Sequence, residues 1–331
     1  MKRLYLIFLI ASMILTACKG KYNESTISPS LDLRKGITIC EAPKEAIDKV
    51  YIVDSTICIL YDRSMHDYAL RLIPMKQASR SIDLFPYGSG KDSVLMISLS
   101  ISASLILIKD FVQKKCAILN INQLLGDTLF TIDMIPLTIK TQEMIPINNG
   151  NIIYLNQGSF RSNEKRFYTI SPAQRPRKVS RNAKKSMNVL DGFFLYEPDM
   201  DKLAFLSMYT PEFELYSFSN QKLLHKSIIE RDDDFNIIEV NNGKTNQYLF
   251  VDRVPFCFMA STSDNERIAA VYRDGQGHSQ ILCFDWDGNL IDGFVAAGDV
   301  YAVSLEHDNL YCWERDEDND RLVMYDMHNT Q

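Results

Sequence analysis

Arginine, histidine and aromatic residues recur in the polar stretches that interrupt the apolar runs of this 331-residue chain. Arg63 and His66 fall in 62–67, Phe111 in 109–115, Phe160 and Arg161 in 157–165, and Tyr209 in 208–213. Arg273, Asp274 and His278 fall in 273–279, and Arg315 in 314–321. A guanidinium presents its N–H groups in a fork that fits a carboxylate or phosphate, and an aromatic ring beside it offers an apolar platform. The chemistry expected is recognition of an anionic or sugar-like group. Arg63, His66, Phe160, Arg161, Tyr209, Arg273, Asp274, His278 and Arg315 are the candidate ligand-binding residues, weighed against the fact that exposed loops are polar in any case.

Other chemistry is poorly marked. Asp316, Asp318 and Asp320 alternate as in a calcium loop, but the glycine and closing glutamate of an EF-hand are missing. Gly88-Ser89-Gly90-Lys91 echoes a phosphate loop without its spacing or following helix. His66, His225, His278, His307 and His328 stand singly, and no Gly-x-Ser-x-Gly elbow occurs. Catalytic residues, metal ligands and a cofactor therefore have no assignment from sequence. The basic stretch Arg175, Arg177, Lys178, Arg181, Lys184 and Lys185 lies among Pro, Ser and Asn and reads as an exposed loop.

The elements that must position these loops repeat. Apolar runs begin at Ile57, Leu105, Ile152, Leu203, Ile268 and Leu310, separated by 48, 47, 51, 65 and 42 residues. Each follows an earlier run (50–53, 94–97, 144–147, 193–196, 255–259, 300–303) and precedes a third (69–73, 117–121, 166–170, 215–218, 281–284, 322–325). Short runs rich in Ile, Val, Leu and aromatics without helical period are strands, and the interval is that of a four-stranded propeller blade. The expected fold is an all-β, six-bladed β-propeller; seven blades and a β-sandwich are the alternatives.

Fourth strands are expected at 81–85, 128–132, 223–229 and 290–295, with Asp287-Gly288-Asn289 turning into the last of these. The sixth unit lacks one, and residues 37–40 are placed to supply it, closing the ring and removing its open edges. The longest interval holds an extra pair of runs around Asn242-Gly243, read as an inserted hairpin. Cys40, Cys58, Cys116, Cys257, Cys283 and Cys312 sit inside apolar runs and are expected as free buried thiols.

The N-terminus carries Lys2 and Arg3, then 14 mostly apolar residues from Leu4 to Ala17. That is too short to span a bilayer, which takes about 20, and suits a signal-peptide core. Leu15-Thr16-Ala17-Cys18 resembles the lipobox of bacterial lipoproteins, which implies cleavage before Cys18 and covalent diacylglycerol on its sulfur. Two acyl chains suffice for stable attachment. Loss of Lys2 and Arg3 with the leader takes the formal charge from −6 to −8, which argues against nucleic-acid binding. The expected organisation is a signal peptide over 1–17, a lipid-anchored tether over 18–34 and a propeller domain over 35–331.

Over residues 37–327 the chain resembles the TolB-like six-bladed propeller lipoproteins of Bacteroidetes. The likeness rests on the lipobox, the blade spacing, the Phe85-Pro86-Tyr87-Gly88-Ser89-Gly90 loop and the Phe284-Asp285-Trp286-Asp287-Gly288-Asn289 turn. Family members carry a fuller Gly-x-Gly-Pro-Gly-Glu loop; here Lys91 and Asp92 follow Gly90. The resemblance implies the fold and a cell-envelope location, and brings no activity. Lys19-Gly20-Lys21-Tyr22-Asn23 after the anchor, with the first acid at Glu24, favours a periplasm-facing over a surface lipoprotein. The functional expectation is a tethered, non-catalytic binding or scaffold module for a protein partner or an envelope or nutrient ligand. A metal-dependent hydrolase or lactonase, with ligands gathered from separate blades, is the alternative.

Overall fold

The computed structural model describes residues 18–23, 31–32, 36–43, 47–64, 66–126, 132–137, 144–147, 150–155, 167–170, 192–230, 237–241, 246–250, 256–275, 277–295, 298–315 and 319–327. Three strands come first: β1 (Cys18–Asn23), β2 (Leu31–Asp32) and β3 (Ile37–Pro43). The first sheet is then β4 (Ile47–Val53), β5 (Thr56–Tyr61), β6 (Tyr68–Pro74) and β7 (Ile82–Pro86), in that order. The second is β8 (Ile97–Ser102), β9 (Leu105–Asp110), β10 (Lys115–Asn120) and, after helix α1 (Ile121–Gly126), β11 (Ile135–Pro136). The third has β12 (Met144–Ile147), β13 (Asn151–Leu155) and β14 (Phe167–Ile170).

The fourth sheet comprises β15 (Gly192–Glu197), β16 (Lys202–Ser207), β17 (Glu212–Ser217) and β18 (Leu223–Glu230). A separate hairpin, β19 (Ile237–Asn241) and β20 (Asn246–Phe250), stands where the inserted pair of runs is expected. The fifth sheet is β21 (Phe258–Ser263), β22 (Arg267–Arg273), β23 (Ser279–Asp285) and β24 (Leu290–Val295). The last is β25 (Asp299–Glu306), β26 (Asn309–Arg315) and β27 (Asn319–Asp326), and β3 pairs antiparallel with β27 as its outer strand. Residues 37–40 thus close the ring as the pattern requires, with Cys40 opposite Leu322.

Apolar side chains are shared between neighbouring sheets all the way round. Cys58, Leu70, Leu72, Ile106 and Ile108 join the first and second sheets; Leu107, Cys116, Met144 and Ile152 join the second and third. Phe167, Phe194 and Phe205 join the third and fourth, and Phe213, Phe258, Tyr272 and Phe284 the fourth and fifth, with Phe213 and Phe284 stacked 4.7 Å apart. Val271, Ile281, Val303 and Cys312 lie between fifth and sixth, and Trp313, Tyr311, Val50 and Ile59 close the circle. Strand side chains alternate between faces, so each sheet serves two such cores.

The expectation of six four-stranded blades is corrected. Five sheets hold the four antiparallel strands of a blade, and the third unit has three strands among the described residues, so the structure shows five blades rather than six. After Ile170 the sequence offers Pro172, Arg175, Pro176 and Arg177 rather than an alternating apolar run, and proline cannot donate to a ladder. Among the described residues β19 and β20 form a two-stranded sheet of their own rather than a seventh blade. Two inner strands are displaced from expectation. That of the second unit begins at Ile97 rather than Val94, where Ile97, Leu99 and Ile101 alternate with serines, and that of the fifth sheet is Phe258–Ser263 rather than 255–259. Among the described residues the outer strand of the second unit is Ile135–Pro136; 128–131 of the run expected for it lie outside them.

The remaining expectations fare variously. None of these six cysteines forms a disulfide; five are buried and Cys40 is half-buried, and burial raises Cys116 to about 11 and Cys283 to about 12. The segment expected as a tether contains two strands: β1 pairs parallel with β18, and β2 pairs parallel with β24. No helix of the described residues is long and apolar enough to cross a membrane. Residues 1–17 and the basic stretch 175–185 lie outside the described residues.

Candidate binding face

The ring has two faces of different construction. On one, tight hairpins join first to second and third to fourth strands; Asp54 and Ser55, both at positive φ (45° and 54°), make such a turn. This turn face is stitched between blades. Lys202 donates to the Trp286 carbonyl and Asp287, Arg267 pairs with Asp308, Ser55 donates to Glu306, and Asn122 donates to Asp54. The Asp285-Trp286-Asp287-Gly288-Asn289 turn satisfies itself: the Asp285 carboxylate accepts from the backbone N–H of Asp287 and Asn289 and from the Asn289 amide.

The opposite, loop face carries the connections between second and third strands and those leading to the next blade. The structure places the candidate residues there in separate groups. In the first blade the His66 ring stacks on Tyr61 at 4.2 Å, and Arg71 lies over Tyr61 at 5.7 Å while forking onto Asp83 at 2.6 and 2.7 Å. That fork holds the Asp83 carboxyl below the usual carboxylate range. Arg63 is exposed at the tip of the same loop. Burial lifts the Tyr87 phenol to about 12, Asp62 and Asp48 add to this, and Arg63 opposes it.

Arg273, Asp274, His278 and Arg315 gather where the fifth and sixth sheets meet. Arg273 pairs with Asp299 at 3.4 Å across the blades. Asp299 stands opposite Arg315, whose guanidinium forks onto the fully buried Asp320 at 2.7 and 3.0 Å and covers the Tyr301 ring at 4.5 Å. Asp274 accepts from the His278 backbone at 2.7 Å and faces its ring at 3.2 Å. Beside them the buried Glu314 accepts from the Tyr325 hydroxyl and from Arg321, and burial with that contact drives the Tyr325 phenol well up. Arg273 and Arg315 are thus held by carboxylates of the protein itself. Tyr209 packs on Phe256 at 5.6 Å, apart from both groups. Phe160 and Arg161 lie outside the described residues, as do Asp316 and Asp318. Among the described residues, no three His, Cys, Asp or Glu side chains gather as a metal site.

Sequence reasoning missed an apolar surface on this face. Met96 is 69% exposed, Val112 57% and Tyr68 38%. Hydrogen bonds link the segments that carry them: Tyr68 pairs with Pro86, Tyr87 bonds to the Asp67 carbonyl, Gly88 bonds to Val94, and Asp110 accepts from both Leu95 and Val112 N–H groups. The Phe85–Gly90 loop beneath is clamped from the second blade. The Lys115 ammonium donates to the Gly90, Lys91 and Ser93 carbonyls, and the Gln113 amide donates to those of Gly88 and Ser93. These carbonyls surround a cation, the reverse of a phosphate loop. Nothing in a sequence tells an apolar residue at such a loop end from one in the core.

No family model and no curated protein matches the sequence. Solved structures do. An exported protein of Bacteroides fragilis aligns over 93% of this chain and 99% of its own, at 11% identity and a TM-score of 0.52. The chain is a β-propeller. BamB of Moraxella catarrhalis aligns over 86% of this chain and 84% of its own, at 12% identity and a TM-score of 0.40. The Swd1 β-propeller domain of Myceliophteria thermophila aligns over 87% and 99%, at 8% identity and 0.44. At these identities the likeness concerns the propeller fold alone.

Proposed function

We propose that this propeller is a membrane-tethered, non-catalytic binding module that takes a protein partner of the cell envelope on its loop face, at the corner formed by the first and second blades. The observation that carries this reading is the exposure of Tyr68, Met96 and Val112 on hydrogen-bonded segments of the loop face, with Arg63 and His66 on the loop that leads to Tyr68. Exposed apolar stretches rimmed by polar groups mark interaction sites, and Met, Tyr and Arg are the residue types enriched at interfaces. The clamped loop and the Tyr61–His66 stack hold these side chains in place before binding, which lowers the ordering cost of association.

Tethering follows from the lipobox reading of Leu15 to Cys18, which with the resemblance to TolB-like lipoproteins supports an envelope location; Lys19-Gly20-Lys21-Tyr22-Asn23 after the anchor, with the first acid at Glu24, favours the periplasm-facing side. Crosslinking of the full-length protein in its native envelope is expected to yield one reproducible protein partner. Labelled palmitate is expected to enter the wild type and not a Cys18→Ser variant. Full labelling of that variant removes the anchor; absence of any crosslinked partner removes the binding role.

A further inference from the structure

β1, β2 and β3 lie on the outer edges of three consecutive sheets. β1 adds a parallel strand to the open edge of β18, β2 adds one to β24, and β3 completes the last sheet. An edge strand presents a row of unpaired N–H and C=O groups that invites pairing, and here the chain's own N-terminal arm takes two such edges. Leu224, Ile291 and Val295, exposed on those outer strands, show that the rim is apolar as well as open.

The register fixes where the arm begins. Cys18 stands opposite His225 and Asn23 opposite Glu230. β18 leaves the turn face at Leu223 and reaches the loop face at Glu230, so Cys18 lies at the turn-face end, about two residues or ~7 Å along the strand from its start. We infer that the arm is a belt rather than a spacer, and that a lipid on Cys18 holds the fourth blade's turn-face edge against the bilayer with the loop face turned away. This rests on the reading of Cys18 as the anchor. With Cys18 itself in the strand, no free linker separates acyl chains from propeller. The loop face is thereby left open to a partner arriving from the aqueous side.

The test uses full-length lipidated protein added to preformed vesicles of phosphatidylethanolamine and phosphatidylglycerol. Met200, 44% exposed in the turn between β15 and β16, and Val112, exposed on the loop face, are replaced singly as Met200→Cys and Val112→Cys. Each is labelled with a bulky polyethylene-glycol maleimide on vesicles and in detergent, against the slow background of the native thiols. The belt predicts that vesicles slow Met200→Cys several-fold and leave Val112→Cys unchanged. Adding Lys21→Pro, which breaks the β1 ladder, returns Met200→Cys to its detergent rate. Equal rates at both positions while the protein stays on the vesicles, shielding of Val112→Cys instead, or shielding of Met200→Cys that survives Lys21→Pro would each overturn it. Protein that stays off the vesicles and whose N-terminus carries no lipid mass fails at the anchor reading, and takes the inference with it.

Discussion

Asp320 has no contact with solvent, while Arg315, which forks onto it, stays partly exposed and stacked on Tyr301. Removing one member of a buried pair leaves an uncompensated charge, at a cost of about 3–5 kcal/mol. Because the arginine here retains water and a ring, Asp320→Ala is expected at the lower end, about 3 kcal/mol, read as a lower urea midpoint with an unchanged slope. His225 is a different case. Its ring is buried with no hydrogen-bond partner for Nε2. Burial holds its pKa below the ordinary 6.5, with Asp285 pulling the other way. The unfolded chain therefore takes up a proton that the folded one resists. Stability from this group is complete above 6.5 and declines as pH falls through that value, until the folded histidine is itself protonated. Urea unfolding from neutral pH to about pH 5 is expected to show this decline in the wild type and less of it in His225→Leu.

Turns set the geometry at the next scale up. Gly288 adopts φ of 89°, and a Cβ there would stand 2.4 Å from His225 Cδ2. Gly288→Ala combines a strained backbone with a collision against the neighbouring blade, and about 1–3 kcal/mol of lost stability is expected. The double variant Gly288→Ala, His225→Ala is expected to recover part of that loss, because the ring contact is gone while the φ strain remains. Denaturant titration of the three variants checks both. The turn itself was legible, since Asp-Gly-Asn between apolar runs is a hairpin signal. So were the inserted hairpin and the closure of the last blade by residues 37–40. The blade count was not: the three runs of the third unit are strands as expected, but a repeat of apolar runs counts units without showing whether each finds a fourth strand. The inner strand at Ile97 was displaced for a related reason: Val94, Met96 and Ile97 look alike as apolar residues, and only the bond from Asp110 to Leu95 separates loop from strand. Asp320 appears in sequence as one member of an acidic run, and its role emerges only from the hairpin register that puts it opposite Arg315.

For the whole molecule, the ring of shared cores makes a rigid body whose two faces differ in what they have left to bind. The turn face uses Lys202, Arg267, Ser55 and Asn122 to join blades. At the junction of the fifth and sixth sheets Arg273 joins the two through Asp299, and Arg315 is held by Asp320 within the sixth. Arg273 and Arg315, two of the four arginines selected from sequence as ligand-binding groups, thus have partners within the protein, and the exposed apolar corner of the first two blades carries the binding role proposed here. The most direct measurement compares crosslinked partner recovery from the native envelope for three forms at matched expression and folding: wild type, Met96→Asp with Val112→Asp, and Met200→Asp. Loss of the partner in the double variant, with wild-type recovery for Met200→Asp, is the predicted result. Full recovery by the double variant would contradict the account.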